Sequence, residues 1–185
     1  MGNTVNDYIK VVERLSEQAI DMLEINILCP NVEHGGIAFG QDPKMVEYIT
    51  KEIKKVANQP ISMKLTPNVT DITEIAKAAE CGGADALSLI NTITGMRIDV
   101  KKRDFSVANK TGGLSGAAIK PIALRMVYQV YKAVQIPIIG MGGISTTDDA
   151  LEFIMAGATG VAIGTANFNN PYVILEVIKG FASAI

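Results

Sequence analysis

The chain of 185 residues is 48% apolar, 19% charged and 5% aromatic, has no tryptophan, and carries a net charge of -2 from 17 Lys+Arg against 19 Asp+Glu. That is an ordinary globular composition with ample apolar surface; it excludes a disordered tail and, at a pI of about 5.5, a strongly basic nucleic-acid binder. No run approaches the ~18 apolar residues of a membrane span, the first ten residues lack a signal-peptide pattern, and two cysteines, Cys29 and Cys81, with one histidine, His34, cannot furnish the ~four clustered ligands of a structural zinc or a disulfide framework; a reducing cytoplasm is the expected compartment.

In chain order the pattern predicts a helix at 5–18, a strand at 22–28, a helix at 43–58, a strand at 61–65, a helix at 71–81 and a strand at 86–91. After these come a helix at 118–134, a strand at 136–140, a helix at 146–155, a strand at 160–164 and a helix at 171–182. The strands are short apolar runs bounded by Gly, Pro, Asn or Asp. Helix starts are marked by Asp42 before Pro43 and by the polar clusters at 70–74 and 145–148, residues whose side chains accept from free helical N–H groups. The polar stretch 97–110 reads as a long solvated loop or hairpin.

Regular alternation of strand and helix means a parallel sheet with helices packed outside it. Gly83-Ala84-Asp85-Ala86-Leu87-Ser88-Leu89 echoes Gly157-Ala158-Thr159-Gly160-Val161-Ala162-Ile163, and such repetition suits a β/α barrel better than a doubly wound sheet. The residues after Leu28, Cys-Pro-Asn-Val-Glu-His-Gly-Gly, also lack the G-x-G-x-x-G of a dinucleotide fold. A full barrel has eight strands in roughly 250 residues; five are read here. The expected architecture is therefore a partial TIM (β/α)8-type barrel in one domain, 1–185, with five parallel strands in sequential order, buried on both faces.

In such barrels chemistry sits at the C-terminal strand ends. There the sequence places Asn26 and Cys29, Lys64, Asn91 and Thr92, Gly142 and Gly143, and Gly164 and Thr165. Lys64, a charge ending an apolar strand, calls for a paired partner or a ligand anion. The runs Gly140-Met141-Gly142-Gly143-Ile144-Ser145 and Gly164-Thr165-Ala166, with a helix start near Asn169-Asn170-Pro171, let backbone N–H groups approach a phosphate; otherwise they only permit tight turns. Cys29 precedes Pro30 at a strand end, where a thiolate can accept a proton if its charge is stabilised, although an isolated cysteine there is ordinarily inert. Cys81 is read as a buried, inert thiol and His34 as exposed and non-catalytic.

These residues carry a family resemblance. Glu24-Ile25-Asn26-Ile27-Leu28-Cys29-Pro30-Asn31-Val32 followed by Gly35-Gly36-Ile37-Ala38-Phe39-Gly40 resembles the active-site loop of class 1B dihydroorotate dehydrogenases. So do Lys64-Leu65-Thr66-Pro67-Asn68-Val69-Thr70-Asp71, Ile90-Asn91-Thr92, Asn109-Lys110-Thr111-Gly112-Gly113-Leu114-Ser115-Gly116, Gly140-Met141-Gly142-Gly143-Ile144 and Gly164-Thr165-Ala166-Asn167-Phe168. Class 1A enzymes share the cysteine, so that residue alone does not set the subclass, and Leu28 stands where many relatives have Ser.

The resemblance implies an FMN enzyme of pyrimidine synthesis that oxidises dihydroorotate to orotate. Cys29 would take a proton from C5 while a hydride leaves C6 for the flavin. Asn26 would contact flavin and substrate, Lys64 and Ile90 the flavin, and Asn91 and Thr92 the substrate. Gly116, Gly142, Gly143, Gly164 and Thr165 would hold FMN through backbone groups. Class 1B enzymes work with an electron-transfer subunit carrying FAD and an iron–sulfur cluster, which passes electrons to NAD; this chain has no cysteines for a cluster, so the cluster falls to the partner.

The same resemblance implies that the family's first strands, with a further flavin- and substrate-contacting lysine, lie ahead of anything in this chain. The expectation is then a C-terminal portion of the barrel whose open sheet edges favour self-association or aggregation, whose FMN affinity is weak and whose own turnover is at background level. The alternative is a truncated, non-catalytic partial barrel that self-associates or binds a phosphate-bearing ligand.

Overall fold

The computed structural model describes residues 4–27 and 39–184. Helix α1 (Val5–Ser16) leads to strand β1 (Leu23–Asn26), α2 (Pro43–Val56) to β2 (Ile61–Lys64), and α3 (Ile72–Cys81) to β3 (Ala86–Leu89). Four short strands follow: β4 (Ile93–Met96), β5 (Ile98–Asp99), β6 (Asp104–Phe105) and β7 (Thr111–Leu114). The chain then runs through α4 (Lys120–Tyr131), β8 (Ile138–Met141), α5 (Thr147–Met155), β9 (Gly160–Ala162), α6 (Ala166–Asn169) and α7 (Val173–Ala184).

Capping side chains set the helix starts. Thr4 and Thr146 each accept from the N–H three residues on, and Asp7 and Asp149 reciprocate in capping boxes. Asp42 and Asp71 accept from Lys44 N–H and Thr73 N–H at 2.9 and 2.8 Å. The sequence echo that begins at Gly83 and Gly157 is a repeated helix stop: both glycines have positive φ (93° and 108°), and the next N–H reaches back over the last turn, Ala84 to Ala79 O at 3.1 Å and Ala158 to Phe153 O at 3.0 Å. Each stop returns the chain to the sheet at β3 or β9.

The sheet is parallel, in the sequential order β1-β2-β3-β8-β9, with helices packed along it, the arrangement of five strands of a TIM-type barrel. One row of the ladder, Asn26, Lys64, Ser88, Ile139 and Gly160, crosses all five strands. Side chains alternate across the pleat, so Leu23, Ile25, Ile61, Met63, Leu87, Leu89 and Ile138 form the helix-covered core with Val46, Ile49 and Ile53 of α2 and Phe153 of α5. Each such fully buried side chain contributes roughly 1.5–3 kcal/mol.

The opposite face carries Glu24, Asn26, Ser62, Lys64 and Ser88. It departs from the expectation of strands buried on both faces: β3 is buried throughout, whereas Glu24 is exposed and Ile139, Met141 and all of β9 are half-buried. The stretch 97–110 is a solvated hairpin excursion, β4 pairing with β7 and β5 with β6, both antiparallel. Three local expectations change. Regular α4 begins at Lys120, after a 3-10 turn at Ala117–Ile119. The short α6, which has no amphipathic period, starts straight after Thr165. Cys81 is exposed rather than buried, because the last residue of α3 lies beyond the stripe of Ile72, Ile75, Ala76, Ala78 and Ala79 that faces the core.

Gly157 combines a positive φ with close packing, since a Cβ there would run into the Tyr131 ring; at Gly160 a Cβ meets nothing within 4 Å. Gly157→Ala is expected to cost about 1–3 kcal/mol through strain and overpacking, and Gly160→Ala to be neutral or stabilising by up to ~1 kcal/mol. Paired urea unfolding curves check the contrast.

Candidate functional site

The C-terminal ends of the parallel strands surround a cleft of about 420 Å³, within the ~300–1,000 Å³ of ordinary ligand sites. Glu24 and Lys64 stand at one side, and Ile90, Asn91 and Thr92 follow β3. Ser115, Gly116, Ala117 and Ile119 enter from the segment before α4; Met141, Gly142, Gly143 and Ile144 follow β8; Ala162, Ile163, Gly164, Thr165, Ala166 and Asn169 follow β9. Most sequence-predicted site residues therefore meet in one place. Asn26 does not line the cleft but touches it through Asn91, whose Nδ2 donates to Asn26 Oδ1 at 3.2 Å. Cys29 and His34 lie outside the described residues.

Sequence reasoning missed Ile119 and Ile163 as lining, and named Glu24 in a motif and Asn169 at a helix start without assigning either a contact of its own. Glu24 was within reach, because two residues before Asn26 on a strand is the same face. Ile119 depends on where the 3-10 turn gives way to α4, which no residue pattern announces.

The cleft has two chemically different ends. At the polar end Lys64 Nζ donates to Glu24 Oε1 at 3.0 Å, with both side chains partly exposed; such a pair is worth about 0–1 kcal/mol, so an incoming anion can take the ammonium at small cost. Asn91 Oδ1 accepts from Thr92 N–H at 2.8 Å. Asn68 supports this corner from outside, its Nδ2 donating to Thr92 O at 3.0 Å and its Oδ1 accepting from Thr94 N–H at 2.9 Å. Asn91, Thr92 and Asn68 are thus fixed relative to one another before any ligand arrives.

The other end is built of glycine loops. Gly142 and Gly143 have φ of 131° and 78°. A Cβ on Gly143 would sit 2.8 Å from Gly116 O and 2.9 Å from Lys120 Cβ, so the two loops touch backbone to backbone; at Gly164 a Cβ would meet nothing within 4 Å. Thr165 Oγ1 donates to Ser115 Oγ at 2.9 Å, joining the loop after β9 to that after β7. Helix α6 starts at Ala166, four residues ahead of the helix start expected near Asn170; Asn170 instead caps the next turn, accepting from Tyr172 N–H at 3.0 Å.

Between the ends, Ile90, Ile119, Met141 and Ile144 make an apolar wall. A ligand that combines hydrogen-bonding groups, an apolar surface and an anionic group matches this lining. Among the described residues no group of three or more His, Cys, Asp or Glu could hold a metal ion, and no helix is long and apolar enough to cross a membrane.

Behind the glycine loop, burial would raise the pKa of Asp149, but hydrogen bonds from Lys120 and from the Ser145 and Thr146 region outweigh it and hold the carboxyl well below the usual range. The same pairing raises Lys120. A carboxyl with a depressed folded-state pKa gives stability that is complete above its unfolded value of ~3.9 and is lost as pH falls toward the folded one. Urea unfolding between about pH 6 and pH 2.5 is expected to show that loss below about pH 4, with a shallower fall in Asp149→Asn.

A family model described as "Dihydroorotate dehydrogenase" matches residues 1–185. A protein of Lachnoclostridium phytofermentans named "Dihydroorotate dehydrogenase B (NAD(+)), catalytic subunit" is 69% identical over 179 residues, covering 97% of this chain and 60% of that protein. Proteins of the same name from Alkaliphilus oremlandii and Halalkalibacterium halodurans are 64% and 57% identical, over 97% and 96% of this chain and 59% and 58% of their own lengths. The chain thus spans about three fifths of the length of these relatives. With a match along its whole length, it belongs to the dihydroorotate dehydrogenase family.

Proposed function

We propose that this chain contributes the FMN- and substrate-binding cleft of a dihydroorotate dehydrogenase of the NAD-linked type, which oxidises dihydroorotate to orotate in pyrimidine synthesis. The observation that carries the reading is the two-ended cleft: amide and ammonium groups at one end, glycine backbone at the other, an apolar wall between.

The residues present fit FMN. Gly164 leaves open space where a Cβ would stand, so a phosphate can come against the backbone of Gly142, Gly143, Gly164 and Thr165, with Gly116 opposite. Ile90 and the apolar wall offer a surface for the ring system, and Lys64 a positive charge at its polar edge. FMN, when bound, supplies a two-electron acceptor for the hydrogen at C6 of the substrate. Asn91 and Thr92 hold the substrate through its amide and carboxylate groups, with Asn26 orienting Asn91 from behind, and the fixed Asn68 support limits their motion. Cys29, as thiolate, takes the proton from C5 and gains it as its thiol. The product is orotate, and an electron-transfer subunit with FAD and an iron–sulfur cluster relays the electrons to NAD.

Titration with FMN tests the binding half: the purified chain turns yellow and quenches flavin fluorescence. Gly164→Asp is the clean probe, since its side chain has room; its carboxylate is expected to weaken FMN binding at least about tenfold by like charge. Gly143→Asp is a poorer probe than the motif suggests, because its Cβ would strike Gly116 and Lys120 before it met any phosphate. In a version extended to the length of these relatives, anaerobic addition of dihydroorotate is expected to bleach the bound flavin, and Cys29→Ala to slow bleaching by ~10²–10⁴-fold with FMN binding retained. Failure of the wild-type chain to bind FMN would end this reading; FMN binding without bleaching would support the narrower one, a β/α unit that binds a phosphate-bearing ligand.

A further inference from the structure

The glycine loop between β8 and α5 is held from behind by groups that do not line the cleft. Asp149 Oδ2 accepts from Ser145 N–H and Ser145 Oγ, both at 2.9 Å, and from Thr146 N–H at 3.0 Å. Its other oxygen accepts from Lys120 Nζ at 2.6 Å. The side chains of Lys120 and Asp149 are 26% and 13% exposed, well shielded for an ion pair.

Lys120 meets the same loop a second time. Its backbone N and Cβ lie 3.0 and 2.9 Å from where a Cβ of Gly143 would stand, and Gly116 O lies 2.8 Å from that point. Lys120 thus touches the middle of the loop through its backbone and the end of the loop through Asp149. Gly116 and Gly143, whose backbones pack against each other at the glycine end of the cleft, are therefore tied by one residue.

We infer that Lys120 and Asp149 are positioning residues, a latch between the start of α4 and the start of α5 that sets the separation of Gly116 from the Gly142–Gly143 loop and so the affinity for the phosphate of FMN. The inference rests on the proposed FMN reading of the cleft. A helix cap alone would explain Asp149 bound to Thr146; it does not explain an ammonium delivered from a different helix. Glu152 supplies the internal control, since it also accepts from Lys120 Nζ, at 2.9 Å, but makes no recorded hydrogen bond to the loop.

The test is FMN affinity by fluorescence quenching in the full 185-residue chain, with amide hydrogen exchange read at Ile144 and Ser145. Weakening of the charged Lys120–Asp149 hydrogen bond that backs the loop is expected to raise the FMN Kd about tenfold in Lys120→Met and in Asp149→Asn. The double variant is expected to be no worse than either single one, the sign of one coupled unit. Lys120→Arg is expected to keep near wild-type affinity and Glu152→Gln to stay within about twofold. In Lys120→Met, exchange at Ile144 and Ser145 is expected to quicken while exchange in β9 does not.

Wild-type affinity in Lys120→Met, additive losses in the double variant, or an equal loss in Glu152→Gln would overturn the latch. If the wild-type chain binds no FMN, the ligand reading fails, and the exchange data then judge the latch alone: unchanged Ile144 and Ser145 exchange in Lys120→Met overturns it, and faster exchange upholds it as a loop-positioning pair.

Discussion

Everything at the rim follows from the two-residue period of a parallel strand. Hydrogen bonding fixes the strands side by side, and the pleat then commits every second residue to the face away from the helices. The row Asn26, Lys64, Ser88, Ile139, Gly160 shows the effect. It passes from amide and ammonium, through a hydroxyl, to an apolar branch and finally to no side chain at all. Of this row Lys64 alone reaches the cleft lining, and the glycine end is supplied by the loops that continue β8 and β9; a one-residue slip of any strand would still turn its core residues toward the cleft face.

Two lysines at this rim have opposite characters, and exposure with hydrogen-bond count decides which is which. Lys64 shares one partly exposed contact with Glu24 and remains available. Lys120 is bound by two carboxylates, one of them saturated by loop donors, and is committed to architecture. Both have the same formal charge, and neither role can be inferred from charge alone.

Much of this was legible in the residues. Asp42, Asp71 and the 145–148 cluster announced their helices because a capping side chain acts within one turn. The glycine echo announced two helix stops, because the αL backbone at Gly83 and Gly157 is nearly a glycine monopoly. Strand order followed from alternation alone. The cleft's motif residues were legible too, since strand ends in such a sheet converge. What escaped was whatever depends on contact between distant segments: the exposure of Cys81, the half-burial of Ile139 and Met141, and Ile119 at the cleft. Asp149 lies just past the 145–148 cluster, and its link to Lys120, 29 positions away, has no local signature. The four-residue α6 is too short to show a period.

The β4–β7 excursion has a consequence of another kind. Its tip carries Lys101, Lys102 and Arg103 in exposed turns, at the point where the chain passes from the strands holding Lys64, Asn91 and Thr92 to those holding Gly142, Gly143 and Gly164. A cut there leaves the β3–β8 pairing and the β4–β7 ladder to hold two fragments together, with the polar end of the cleft on one and the glycine end on the other. The molecule is thus a natural candidate for a split reporter, in which two separately made pieces signal their reunion by regaining a single binding site.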